Sequence, residues 1–499
     1  MLKKKHMKKY LLVPISFIFL LTTLNCSKDD SNSSPPEPVV EGVALNNEIN
    51  DFVWSGLNNA YYWQKNVPNL ADTKNDDLDT YYTYLNGYSD PEALFKSLRY
   101  DYGKTDRFSW YIDDYKEQDA SFRGISDSFG FDFGISRLCG TCNEVIGYIT
   151  YVIPNSPAAD AGIKRGDIFY KFNDTELNLD NYSVVNAYFN DNSISMDFAT
   201  LTDTGITPNN VRTDLTLREV IENPVFYSDV ITNDQGKKIG YLVYNGFKYT
   251  FHEELNQIFA TFKSENISEL VLDLRYNGGG SVLTSAYLAS MIHAEAADGD
   301  VFAKLTYNSK NAGENSYYPF FDTANIYNKD GDYTGNQETI NRLTGLTRMF
   351  VITSRNTASA SEMIINGLDP FIDVIKVGTT TYGKNVGSYT VYDSPDFTEN
   401  NVNPNHTIAM QPITFKIFNK LDQSDYTLGF DPDYELIEYI SDMKPFGDLE
   451  EPLLKTCLEV ISGNVSKVQA FKRPKNLTEE VFNSLDKKRF SKEMYILNQ

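Results

Sequence analysis

Apolar positions change period along the chain, and each change predicts a different kind of structure. Ile49, Phe52, Val53, Leu57, Ala60 and Tyr61 recur at the steps of one helix face. Asp90 before Pro91 reads as an N-cap with proline at the first helical position, leading into a helix over 92–98. After Asp106-Arg107-Phe108-Ser109-Trp110 the pattern shifts to short strands punctuated by glycine. Residues 149–152 predict a strand, 155–163 a short helix stopped at Gly162, and 168–172 a strand entered through the turn Arg165-Gly166-Asp167. From about Ile221 strands alternate with helices. Strands are predicted over 239–244, 270–274, 349–353, 374–377 and most of 408–418; Leu255, Ile258, Phe259 and Phe262 mark one helix face, and a second helix runs over 361–368. Such alternation predicts an α/β layer architecture. Past about Gly463 the chain reads as a Lys-rich tail.

Length and composition narrow the class. The 499 residues are enough for about three domains. Aromatic residues make up 14% and charged residues 23%, so the chain can bury enough apolar surface to offset the entropy of ordering. The formal charge of −23 repels a phosphate backbone over most of the surface, which argues against nucleic acid as a partner. Cys139-Gly140-Thr141-Cys142 either closes a small disulfide across a turn or remains two thiols; with four histidines in the chain and none near this pair in sequence, a metal site is the weaker reading.

The N-terminus is of another kind. Lys3, Lys4, Lys5, Lys8 and Lys9 precede an apolar run over 11–24 that is short for a membrane span and interrupted by Pro14, the pattern of a secretory signal. Leu24-Asn25-Cys26 resembles a bacterial lipoprotein box, with Asn25 where a small residue is usual. The resemblance implies lipid attachment at Cys26 and a chain anchored to a membrane of the cell envelope, facing periplasm or exterior. A plain secretory signal with an incidental cysteine is the alternative. The polar, Pro-rich stretch 26–45 reads as a flexible tether.

Ser156-Pro157-Ala158, Ala161-Gly162 and Gly166-Asp167-Ile168 together resemble the PDZ modules of bacterial proteases. The resemblance implies a PDZ fold over 119–220, with Phe129-Gly130-Phe131 as the loop that takes a peptide's terminal carboxylate on backbone N–H groups. A PDZ fold that only packs against its neighbours is the other reading.

The candidate chemistry lies further on. Between a predicted strand and helix stands Thr357-Ala358-Ser359-Ala360-Ser361-Glu362, where a serine at a helix mouth meets unpaired N–H groups. Alone, this reads better as a helix cap with glutamate in the first turn. Its company is Asp273-Leu274-Arg275-Tyr276-Asn277-Gly278-Gly279-Gly280, a strand running into a glycine turn, and Gly383-Lys384-Asn385, with Lys384 standing 25 residues after Ser359. These blocks resemble the S41 family of C-terminal processing peptidases over about residues 45–465. The resemblance implies a multidomain α/β protein: a small N-terminal helical domain over 46–118, the PDZ domain, and over 221–465 a catalytic domain related to the ClpP and crotonase superhelix.

It also implies Ser359 as nucleophile, Lys384 as base, and Ala360 N–H with a backbone N–H near Gly279 as the oxyanion hole. Residue types alone do not choose Ser359 over Ser361. A lysine can take the serine's proton only when neutral, and burial supplies that by disfavouring the ammonium. Where the family usually carries an orienting glutamine, this chain has Ser388. His252, His293 and His406 belong to no recognisable triad motif. The expected activity is that of a serine endopeptidase acting on exposed or C-terminal polypeptide segments without a cofactor. The rival is a catalytically silent envelope lipoprotein that binds peptides through its PDZ module.

Overall fold

In the computed structural model of the chain, residues 42–202, 205–297, 299–464 and 479–497 are described. The signal, Cys26 and most of the tether fall outside them. No helix among the described residues is long and apolar enough to cross a membrane.

The N-terminal region is helical for the reasons its sequence suggests. Asn47 accepts the Ile49 N–H and opens the helix Glu48–Ala60, which buries Phe52, Val53, Trp54, Leu57 and Ala60. Asp90 caps Pro91–Ser97 by accepting the Glu92 N–H at 2.9 Å. These helices share a core with Val391 and Met410, so the small domain is packed onto the chain's later strands.

The PDZ region is built on the antiparallel strands Phe131–Arg137, Val145–Val152, Ile168–Phe172, Ser193–Thr202 and Gly205–Thr216. Ser156 caps the short helix Pro157–Asp160, and Gly162 follows at φ 76°, a left-handed turn that glycine adopts without strain. Cys139 and Cys142 are disulfide-bonded.

The catalytic region carries a six-stranded sheet in the order Val225–Thr232, Lys238–Tyr244, Glu269–Asp273, Arg348–Thr353, Asp373–Gly378, Tyr434–Glu435. All pairs after the first are parallel. Asp273 lies opposite Ile352 and Thr353 opposite Gly378, so three neighbouring strands end at one edge. In parallel α/β sheets such an edge is where the connecting loops converge and sites form. The glycine turn, the Ser359 turn and the loop to Lys384 all leave from it.

The last described segment differs from the expected tail. Glu480–Asn483 adds antiparallel to the PDZ edge strand Phe131–Arg137. Met494–Tyr495 then enters a second six-stranded sheet, parallel to both Gly280–Ser281 and Val386–Ser388. Phe482 stacks on Phe133, Leu485 enters a core with Tyr151 and Tyr276, and Tyr495 stacks on Phe122 at 3.7 Å between ring centroids. Met494 and Tyr495 are almost wholly buried, and each such side chain contributes about 1.5–3 kcal/mol by leaving water.

Candidate active site

The Ser359 turn is strained. Ser359 precedes the helix Ala360–Leu368 at φ 63° and ψ −118°, a conformation that costs a non-glycine residue about 1–3 kcal/mol and persists where surrounding structure imposes it. The imposing group is Glu362. Its buried carboxylate accepts the Ser359 N–H at 2.9 Å, the Lys384 N–H at 2.8 Å, the Gly383 N–H at 2.7 Å and the Thr381 hydroxyl at 2.6 Å. One side chain thus fixes both the serine turn and the lysine loop. Burial pushes the Glu362 carboxyl up, and these donors oppose the shift. The S-x-x-E spacing marks Glu362 as a cap; its hold on the lysine loop carries no sequence signal.

Asn277 organises the facing turn. Its side chain donates to Tyr244 O at 2.7 Å and accepts the Gly279 N–H at 2.9 Å, while its carbonyl accepts from Ala358 N and from the Ser361 hydroxyl. Ser361 is therefore engaged in holding two loops together. The buried Ser359 hydroxyl is not so engaged and turns to another partner.

What it faces is the chain's own C-terminal segment. The Ser359 hydroxyl donates to the Glu493 carbonyl oxygen at 2.7 Å, and the Gly280 N–H donates to the same oxygen at 2.6 Å. The donor to that oxygen is Gly280, next to Gly279, whose own N–H goes to Asn277. Gly279 contributes by having no side chain: at φ 114°, a Cβ there would fall 2.5 Å from the Glu493 oxygen, 2.6 Å from Ser359 Cβ and 2.9 Å from Ala360 N. Ala360 N–H accordingly borders the same cradle.

Lys384 is 1% exposed, and its Nζ donates to Lys492 O at 2.6 Å. Burial drives its pKa down, while Glu493, Asp106 and Glu362 push it back up. Its Nζ lies over the Phe108 ring at 4.9 Å, and Arg107 donates to Gly383 O, so the N-terminal domain closes the lysine's pocket. The Glu493 carboxylate stands 4.0 Å from Nζ, and both its oxygens are buried without a hydrogen-bond partner; burial raises it to about 7 against the pull of Lys384 and Lys248.

Two further groups singled out in the sequence, Ser388 and the Phe129-Gly130-Phe131 loop, have partners of their own. No hydrogen bond joins Ser388 to Lys384; its hydroxyl accepts from Gln411 Nε2 at 3.0 Å and meets Met494 O at 3.4 Å, because its strand directs it toward the inserted segment. In the Phe129-Gly130-Phe131 loop, Phe129 lies in the PDZ core and the Gly130 N–H goes to the Ser128 hydroxyl. Glu480–Asn483 runs toward this loop and continues past it. Among the described residues no histidine ring bonds Ser359; His252 is held by Asn325 O and Thr284, and His406 by Asp393.

A cavity of about 770 Å³ runs from Ser128 and Tyr188 on the PDZ side to Gly279 and Glu493. A hollow of about 830 Å³ on the PDZ flank, near Phe198 and Met443, contains none of the candidate groups. The two regions are joined by a buried ion cluster. Arg275 pairs with Asp273, Glu451 and Glu438, and Arg165 of the PDZ region pairs with the same Glu438.

Comparison with known proteins places this architecture. The model of peptidase family S41 matches residues 238–435, that of the S41 N-terminal domain 48–110, and that of a PDZ domain 148–188. A chloroplastic C-terminal processing peptidase of Tetradesmus obliquus is 27% identical over 252 residues, which are 49% of this chain and 48% of that protein. The match therefore spans about half the length of that relative. The solved structure of a protein assigned to the S41 proteases, from Bacteroides fragilis NCTC 9343, superposes with a TM-score of 0.63 at 25% identity, covering 83% of this chain and 97% of the other. With its three regions matched in the order in which the fold presents them, this chain belongs to the S41 peptidase family.

Proposed function

We infer that the protein is a serine endopeptidase that cleaves exposed or C-terminal polypeptide segments. Ser359 attacks, Lys384 takes and returns the proton, and the N–H groups of Gly280 and Ala360 stabilise the oxyanion of a tetrahedral intermediate on the way to an acyl-enzyme. The observation that carries this reading is a peptide carbonyl, that of Glu493, held between the Ser359 hydroxyl and the Gly280 N–H. The lysine's burial supports its role, since only the neutral amine accepts a proton. Substrate enters as an added strand between Gly280–Ser281 and Val386–Ser388, the mode in which main-chain bonds bind and side-chain pockets select.

The test is incubation of an unfolded protein with wild type and with Ser359→Ala. Fragments from wild type alone are expected; no fragments from either would favour a peptide-binding lipoprotein. Export and anchoring through Cys26 belong to the same reading, supported by the basic start, the apolar run and the tether. Fatty-acid labelling of the expressed protein, lost in Cys26→Ala, is the expected result.

A further inference from the structure

The segment in the cleft is presented as a substrate would be. Lys492 O meets Lys384, Glu493 O meets Ser359 and Gly280, Met494 O meets Ser388, and Ile496 N donates to Ser388 O at 3.1 Å. Four positions of one strand, three of them successive, are therefore read by the cleft, with the Glu493–Met494 peptide bond at the nucleophile. Upstream, Glu480–Asn483 is held on the PDZ edge, so one continuous segment joins the peptide-binding sheet to the catalytic cradle.

We propose that the Glu493–Met494 bond is a self-processing site, cut by the Ser359 of the same molecule. The inference rests on the peptidase reading above. Ser359 Oγ bonds to the Glu493 carbonyl carbon as its proton passes to neutral Lys384. The bond from that carbon to Met494 N breaks, and the proton moves from Lys384 to the departing amine. Water then hydrolyses the ester, leaving Glu493 as a new C-terminal carboxylate and freeing the segment that begins at Met494. Its loss vacates the strand position between Gly280–Ser281 and Val386–Ser388, which any other substrate needs.

The docked state also restrains the reaction. The Glu493 carboxylate, 4.0 Å from Lys384 Nζ, favours the ammonium, which cannot accept the serine's proton. The cut is therefore slow compared with cleavage at a substrate position carrying an uncharged side chain.

The experiment follows the intact mass and the terminal sequence of the full chain over time, for wild type and Ser359→Ala, with an unfolded test protein added to half of each sample. The expected result is a wild-type form ending at Glu493, absent from Ser359→Ala, formed at a rate unchanged by tenfold dilution. Cleavage of the test protein with an uncut wild-type C-terminus would overturn the self-processing site and leave the peptidase reading standing. A cut at another bond would overturn the assignment of Glu493–Met494, and a rate that falls on dilution would overturn cleavage within one molecule. No cleavage of either protein would overturn the peptidase reading, and this inference with it.

Discussion

Glu438 and Glu493 are both carboxylates lodged among cations, yet burial ends in opposite results. Glu438 lies between Arg165 and Arg275 and accepts a hydrogen bond from the Tyr276 hydroxyl; these partners outweigh burial and hold it down at about 2. Glu493 faces Lys384 and Lys248, but its oxygens take no hydrogen bond, and burial wins, raising it to about 7. The first cluster is compensated charge that fastens the PDZ region to the catalytic sheet. The second is a carboxyl with cations nearby but no hydrogen-bond donors, beside a strained serine and a lysine whose own pKa is lowered. Paired charges of the first kind hold a structure, whereas groups whose ionisation is left poised are characteristic of reacting sites.

The contrast is broken most severely at Arg275. Arg275→Met leaves Asp273, Glu451 and Glu438 buried without their shared cation, and removing one member of such a cluster costs about 3–5 kcal/mol. Chemical unfolding should show that loss, with the PDZ region released first; an unchanged midpoint would mean that the cluster holds nothing.

Gly279→Ala acts on the other side of the comparison. Its methyl group would occupy the space beside Ser359 Cβ and Ala360 N, so peptidase activity should fall by about a hundred- to a thousand-fold, the usual effect of losing an oxyanion donor. The strained φ also costs stability, by about 1–3 kcal/mol. Activity should therefore be lost at temperatures where the variant remains folded.

Acid separates the two carboxylates by sign. Glu438 has its folded-state pKa below its ordinary value of 4.5, so its stabilisation is complete above that value and lost as pH falls toward about 2. Glu493 is raised, so docking of its segment is favoured at low pH and weakens as pH rises from about 4.5 through 7. Facing it are Lys384, lowered by burial, and Lys248, lowered to about 8 by burial. Hydrogen exchange around Met494, corrected for its intrinsic pH dependence, should quicken between pH 5 and 8 in Ser359→Ala. In Ser359→Ala with Glu493→Gln the rise should disappear.

Much of this was legible beforehand, for definable reasons. Helix faces, caps and the parallel strands follow from local periodicity, and the serine, glycine and lysine blocks stood out through their family resemblance. Glu362 was visible as a cap, but its contacts with Gly383 and Lys384 join loops about twenty residues apart, which no local pattern encodes. Asn277 was hidden in the same way, since its role is to bond backbone across a turn. In the sequence the terminal segment stands out only by its lysines, although Phe482, Leu485, Phe490, Met494 and Tyr495 are the residues that dock it. The choice of Gly280 over Gly279 depends on which N–H Asn277 takes, a matter of one hydrogen bond.

If a buried, neutral Lys384 activates Ser359, the rate at which a serine-directed acylating probe labels Ser359 will depend on it. Wild type should be labelled at Ser359, with a rate that rises with pH as Lys384 loses its proton. Lys384→Met should be labelled at least about a thousandfold more slowly, as expected when a nucleophile loses its base. Labelling of the two proteins at the same rate, or with the same pH profile, would exclude Lys384 as the base.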